Sequence, residues 1–238
     1  TMAAFAHNHQ IAWRPHAKLH KSAELALLLV QAGAVGACVQ KTSEAEALVA
    51  GGVTDIYISN EVISLSKLQR VAHMARALEA KNGQISIAVD SVEGIRRLAA
   101  ALDKVHASMR VFVEIDVGQN RCGVQPGPAA VALAQEVQRH PRLHFAGLQA
   151  YHGKAQHLRS AAARAEAIQH VVHAVRSTRA LIEAAGMPVP LVTGAGTGTF
   201  IHEAASGVYG ELQPGSFLFM DADYAANERD PTAPVFEH

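Results

Sequence analysis

Eight short, strand-like apolar runs constrain this chain more than any other feature. They fall at 11–14, 35–39, 55–59, 85–89, 110–116, 143–151, 191–193 and 211–219. The gaps between them are too long for hairpins, and most carry apolar residues at helical spacing. Strands that alternate with helices pair in parallel, because a parallel neighbour is reached only through a crossover. Eight such units close on themselves. We therefore expect an α/β chain folded as a single (β/α)8 TIM barrel, and its 238 residues match the roughly 200–250 that such a barrel takes.

The helical segments have recognisable edges. Residues 1–10 read as the tail of a helix that began earlier. The segment 22–32 places Leu25, Leu28, Leu29 and Ala32 on one face, and Gly33 stops it. Ser43 with Glu46 reads as a capping box. The segment 64–80 turns Leu65, Leu68, Val71, Ala72 and Ala75 inward. Asp90 or Ser91 caps the next helix, and Pro126 or Pro128 opens the one after it. A long helix over 160–185 buries Ile168, Val171, Val172, Val175 and Ile182, and a short one covers 201–206.

Composition excludes several functions. Hydrophobic residues make up 49% and charged residues 18%, the balance of a folded chain. The formal net charge is +0, which offers no basic surface to nucleic acid or to an anionic membrane. No apolar run approaches the ~18 residues of a membrane span, and the opening lacks the pattern of a signal peptide. Cys38 and Cys122 are the two cysteines, and reduced thiols in a cytoplasmic protein are the simplest account of them.

On a barrel the chemistry sits after the C-terminal ends of the strands. After the first run, His16, Lys18, His20 and Lys21 fall within six residues. A desolvated lysine there is a nucleophile towards a carbonyl. Further strand ends supply Gln40 and Lys41, Asn60 and Glu61, Asp90, Asp116 with Arg121, and Tyr151 with His152. Asp90 also reads as a helix cap, Asn60 and Glu61 as turn residues, and Asp116 as a partner that positions Arg121. The loop after the seventh run, from Thr193 to Thr199, carries Gly194, Gly196, Gly198 and Thr197. Its amides form a nest for an anion, most often phosphate, and Gly215 and Ser216 add the eighth-strand half. A lysine after the first strand and a phosphate cradle after the seventh and eighth suggest pyridoxal phosphate held as a Schiff base.

The segments RPHAKLHKS, CVQK, NEV, VEIDVGQNRCGV, GLQAYHG, VTGAGTGTF and ASGVYGELQPGSFLFMDADY carry a resemblance across Arg14 to Tyr224. Together they resemble the D-threonine and 3-hydroxy-D-aspartate aldolases, relatives of the D-serine and hydroxyaspartate dehydratases. All are alanine-racemase-like (fold type III) pyridoxal-phosphate enzymes. The resemblance implies retro-aldol cleavage of a D-3-hydroxy amino acid to glycine and an aldehyde. The rivals are dehydration on the same scaffold, a non-catalytic cofactor-binding barrel, and a cofactor-free Schiff-base aldolase.

Residue by residue, the resemblance implies Lys18 as the Schiff-base lysine, with Lys21 as runner-up. It implies Thr193, Gly196, Thr197, Gly198, Gly215 and Ser216 around the phosphate. Gln40, Arg121 and Tyr151 fall around the ring, with Tyr224 as a phosphate or substrate contact. His152 is the general base. Gln213 stands where alanine racemases put an arginine against the pyridine nitrogen. The family carries a divalent metal (Mn, Mg or Zn) on a C-terminal β-domain, which this chain is expected to lack beyond a connection at 226–238. No metal ligand is assigned here, and His16 and His20 are not read as a pair. The full-length relatives imply a homodimer.

Overall fold

The computed structural model describes residues 1–234 and 236. Its strands are β1 (Ala12–Trp13), β2 (Ala37–Val39), β3 (Asp55–Ile58), β4 (Gln84–Val89), β5 (Met109–Glu114), β6 (Leu143–Ala150), β7 (Leu191–Gly194) and β8 (Glu211–Leu212). All eight are parallel, in the order β1-β8-β7-β6-β5-β4-β3-β2. A parallel bridge between His16 and Cys38 joins the two ends of that order. There the Ala17 amide donates to Cys38 O at 2.7 Å and the Cys38 amide to Pro15 O at 2.9 Å. The expected eight-stranded α/β barrel is therefore the fold.

A strand has a side-chain period of two, so each strand divides its residues between two environments. Ile56, Ile58, Ile85, Ile87, Val89, Val111 and Val113 face outward into the main core under the helices. The alternate positions Cys38, Tyr57, Ala88 and Phe112 meet inside the barrel with Ala146. Around them lie buried polar residues of the same inward register: Arg14, Ser86, Gln149, Thr193, Glu211 and Gln213. At Gly147 (φ +132) an added Cβ would lie 1.7 Å from Leu191 O, so only glycine passes at that point of the wall.

The helices are α1 (Met2–Asn8), α2 (Ala23–Gln31), α3 (Thr42–Ala50), α4 (Leu65–Glu79), α5 (Val92–Val105), α6 (Pro128–Gln138), α7 (Ala161–Ala184), α8 (Phe200–Ala205) and α9 (Ala222–Ala225). Ser22, Ser91 and Ser160 cap α2, α5 and α7 through their side chains. Among the described residues no helix is long and apolar enough to cross a membrane. Both cysteines are free.

Several expectations need correction. Helix α3 opens at Thr42 rather than after Ser43. Glu44, not Glu46, accepts the free amides of Gln40 (2.9 Å) and Lys41 (3.2 Å), while Glu46 pairs with Arg70. Ser91 caps α5, and Asp90 accepts from the Gly123 amide instead. Pro128 opens α6 after Gly127. Leu28 and Leu65 are exposed, because α2 and α4 turn Ala26, and Leu68 with Val71, to the core. The eighth strand ends at Leu212, since Pro214 has no amide to donate and the chain turns into a 3-10 helix at Ser216–Leu218. The part of the expected 226–238 connection at 235, 237 and 238 lies outside the described residues.

Arg14 is 5% exposed and sits between two carboxylates, with NH1 2.5 Å from Asp55 Oδ1 and Nε 3.0 Å from Glu211 Oε2. Burial opposes its charge and the two carboxylates hold it, so the guanidinium stays protonated. Removing one member of such a group leaves the others buried and uncompensated. Arg14→Met is expected to destabilise the fold by about 3–5 kcal/mol in chemical denaturation at neutral pH.

Glu203 on α8 is 1% exposed, and burial raises its pKa to about 7 against a hydrogen bond from Thr199 that lowers it. A carboxyl with a raised folded pKa favours the folded state in its protonated form. That contribution is full below its ordinary pKa of 4.5 and is lost as pH rises to about 7. Glu203→Gln is therefore expected to gain on the order of 2–3 kcal/mol over wild type at pH 8. The difference should shrink towards zero below pH 5 in parallel thermal melts.

Candidate active site

At the C-terminal end of the barrel the inward register continues past each strand. His16, Gln40, Ser59, Tyr151 and Gln213 stand at inward positions just beyond the strands and wall a cavity of about 200 Å³. Lys18, Arg121, Gly196, Thr197, Gly215, Ser216 and Tyr224 complete the wall, with Gln149 below. Among the described residues no carboxylate side chain lines it. With two cations and no anion, the cavity is built for a negatively charged ligand.

Lys18 lines this cavity while remaining open to solvent. Its Nζ lies 6.0 Å from the centroid of the Tyr151 ring, and the Arg121 guanidinium carbon lies 5.8 Å from the same centroid. Desolvation lowers the Lys18 pKa, and the Arg121 charge lowers it further. Lys21 is turned away: its Nζ donates to Lys18 O at 2.7 Å and lies 3.5 Å from Glu44 Oε1. His16 holds the turn between them, with Nδ1 accepting the Lys18 amide at 3.3 Å and Nε2 3.2 Å from Ser59 Oγ. Burial and the Lys18 charge keep that imidazole neutral, and its two nitrogens are committed. His20 is separate, its Nδ1 accepting the Ser22 amide.

Beside the Lys18 loop, since β8 pairs with β1, the loops after β7 and β8 meet. Among the described residues, the amides of Gly196, Thr197, Gly215 and Ser216 have no acceptor in the protein. Four unused donors beside a cavity form an anion nest. The loop is held from behind by Gln156, which is fully buried on the 3-10 helix Lys154–His157. Its Oε1 accepts the Gly198 amide at 2.9 Å, and its Nε2 donates to Thr199 Oγ1 at 2.8 Å. A Cβ on Gly196 would lie 2.5 Å from Gln156 Oε1, and one on Gly198 would lie 2.6 Å from Gln156 O. These glycines thus permit the close packing that aims the amides.

The floor is a chain of buried hydrogen bonds. Gln213 Nε2 donates to Gln149 Oε1 at 2.9 Å and to Thr193 Oγ1 at 2.6 Å. Thr193 donates to Glu211 at 2.7 Å, and the Tyr57 hydroxyl donates to Gln149 at 2.9 Å. Tyr224 reaches the cavity on α9, which Asp223 ties down through His157 and Arg159.

Nine of the site residues expected from the sequence share this cavity: Lys18, Gln40, Arg121, Tyr151, Gly196, Thr197, Gly215, Ser216 and Tyr224. Three do not line it. Thr193 lies in the floor with its hydroxyl engaged. Gly198 spends its amide on Gln156. His152 follows Tyr151 but stands off the wall, with its Nδ1 buried and without a partner. Burial and the Lys154 charge depress its pKa, which leaves a neutral imidazole able to accept a proton. Arg121 faces Glu114 at 3.9 Å, whereas Asp116 accepts the Gly118 and Asn120 amides, so Asp116 shapes the loop and does not position Arg121. Ser59, Gln149 and Gln156 escaped the sequence reading. The first two were legible in principle as polar residues at alternate positions of apolar strands, but Gln156 had no signal.

Replacing Gln156 by leucine removes the support of the glycine loop at nearly constant volume. Gln156→Leu is expected to cost about 1–3 kcal/mol in stability, because the Gly198 amide loses its acceptor and Thr199 Oγ1 loses the donor it accepts from. It should also weaken binding of inorganic phosphate, measured by calorimetry, relative to wild type.

Comparison with known proteins follows the same lines. Residues 4–223 match the family model described as alanine racemase, N-terminal domain. A D-threonine aldolase from Arthrobacter sp is 45% identical over 229 residues, covering 96% of this chain and 59% of that protein. A 3-hydroxy-D-aspartate aldolase from Paracoccus denitrificans is 39% identical, covering 94% of this chain and 57% of that protein. The crystal structure of D-threonine aldolase from Filomicrobium marinum superposes with a TM-score of 0.94 at 42% identity, over 100% of this chain and 62% of that one. The chain thus spans less than two thirds of these relatives' length. A closed eight-stranded barrel, a cavity at its C-terminal end and a family match over nearly the whole chain agree: the protein belongs to the alanine racemase N-terminal domain family.

Proposed function

We propose that this barrel binds pyridoxal phosphate and serves the retro-aldol cleavage of a D-3-hydroxy amino acid to glycine and an aldehyde. One observation carries the reading: a lysine of lowered pKa shares one cavity with four unused backbone amides, and no carboxylate among the described residues lines it. Those groups fit an aldehyde with a phosphate tail. Lys18 Nζ is the amine that holds the aldehyde, and Gly196, Thr197, Gly215 and Ser216 hold the phosphate through their amides. Tyr224 closes the phosphate side. Bound there, the cofactor supplies the electron sink for the bond broken at the α-carbon.

The chain's own residues do the rest. Gln40, Tyr151 and Gln213 surround the ring. Gln213 presents a neutral amide whose Nε2 is already engaged, so it adds no charge to the ring's environment. Arg121 offers its guanidinium to the cofactor's phenolic oxygen or to the substrate carboxylate. His152, expected as the base for the β-hydroxyl, stands off the cavity wall with its unpartnered Nδ1 buried, so this arrangement does not bring it to the hydroxyl. The metal activation implied by the family belongs to ligands other than the cavity residues, whose one histidine, His16, has both nitrogens engaged.

The test begins with pyridoxal phosphate added to the purified protein, a visible spectrum, borohydride reduction and peptide mapping. The adduct is expected on Lys18, and Lys18→Ala should lose both adduct and chromophore. An adduct on Lys21, or a chromophore that survives Lys18→Ala, overturns the lysine assignment. Glycine and an aldehyde are the expected products from a D-3-hydroxy amino acid. Ammonia and a keto acid would instead mean elimination of water.

A further inference from the structure

Behind Arg121, outside the cavity, the loops after β3, β4 and β5 bring together Glu61, Asp90 and Cys122. One ligand atom from each lies within 4.8 Å of the others. A second observation points into this cluster. Glu114, at the end of β5, is 3% exposed, and its Oε2 has no partner. Its Oε1 has only Arg121, at 3.9 Å. The Glu114 carboxyl meets that of Glu61, and both Glu61 oxygens are shielded from solvent without a donor. Among the described residues, three carboxylate oxygens are thus buried with only one another and the Cys122 thiol to meet. A proton shared between Glu61 and Glu114 would serve one contact and leave the others unmet. A cation serves all of them.

We propose that Glu61, Asp90 and Cys122, with the Glu114 carboxyl behind them, form a binding site for one divalent transition-metal ion. Metal–ligand bonds of roughly 2.0–2.3 Å in a tetrahedral site put ligand atoms about 3.3–3.8 Å apart, so a cluster within 4.8 Å closes by at most about an ångström. A thiolate among carboxylates selects zinc-like ions over magnesium or calcium. Asp90 already accepts the Gly123 amide at 3.1 Å, which orients it as outer-shell bonds orient metal ligands. Metal binding joins three loops. One of them, closed by the Ile115–Val124 bridge, carries Arg121 to the cavity mouth. The ion is thus a staple for that arginine, apart from the cofactor site.

Cobalt(II) tests this directly. The purified protein is stripped with a chelator and titrated with Co2+ under reducing conditions. One equivalent per chain should bind and give a near-ultraviolet sulfur-to-cobalt charge-transfer band. Cys122→Ser should lose the band, and Glu61→Gln, checked for fold by circular dichroism, should bind about tenfold more weakly or worse. No saturable band at millimolar Co2+ overturns the proposal and leaves a proton-sharing carboxyl pair. A band that persists in Cys122→Ser overturns it too, since the remaining cysteine, Cys38, lies elsewhere, fully buried beside Gln213.

Discussion

The interior of this barrel is polar, and the rest of the structure depends on how that polarity is satisfied. Arg14 binds Asp55 and Glu211, and Glu211 accepts from Thr193. Gln213 reaches both Thr193 and Gln149, which also accepts from Tyr57. This path crosses β1, β3, β6, β7 and β8, which no single sheet ladder does. In a medium of low dielectric each link is strong if made and costly if missing. The network therefore sets the register of the barrel wall as much as the hydrophobic core does, because a slip of one residue would turn every inward polar group into the helices.

The same network is the floor of the candidate site. It uses up the donors of Gln213 from below and leaves the cavity above it lined by Lys18 and Arg121 without an opposing carboxylate. Charge and unused amides are thereby concentrated where a phosphate-bearing ligand can collect them. Gln156 does from outside what Gln149 does from below. Each is a neutral amide that satisfies the backbone or side chains of neighbours and so frees the cavity-facing groups. Tyr224 arrives last, on a single helical turn held by Asp223, His157 and Arg159, and closes the side open to solvent.

Much of this was legible in the residues. The alternation of short apolar runs with helical spacing determined a parallel eight-stranded barrel, because parallel pairing requires crossovers and eight strands close. The glycines at 194, 196 and 198 and the lysines at 18 and 21 marked the strand ends that meet. Less legible were the edges. Thr42, not Ser43, starts α3, because Glu44 rather than Glu46 comes within reach of the open amides. Leu28 is exposed because α2 is apolar on more than one face, and periodicity alone cannot choose between such faces.

The sequence by itself determined the fold class, the end of the barrel that carries the chemistry and the residue types gathered there, because these follow from local periodicity and chain connectivity. Tertiary structure alone decided which lysine faces the cavity, which amides stay unbonded and what partners Arg121 meets. It turned Lys21 to Glu44, set Thr193 into the floor, held His152 off the wall and drew Glu61, Asp90 and Cys122 around Glu114. These outcomes depend on contacts between residues tens of positions apart. Only the closed barrel, with its inward side chains fixed by mutual hydrogen bonding, brings them within reach of one another.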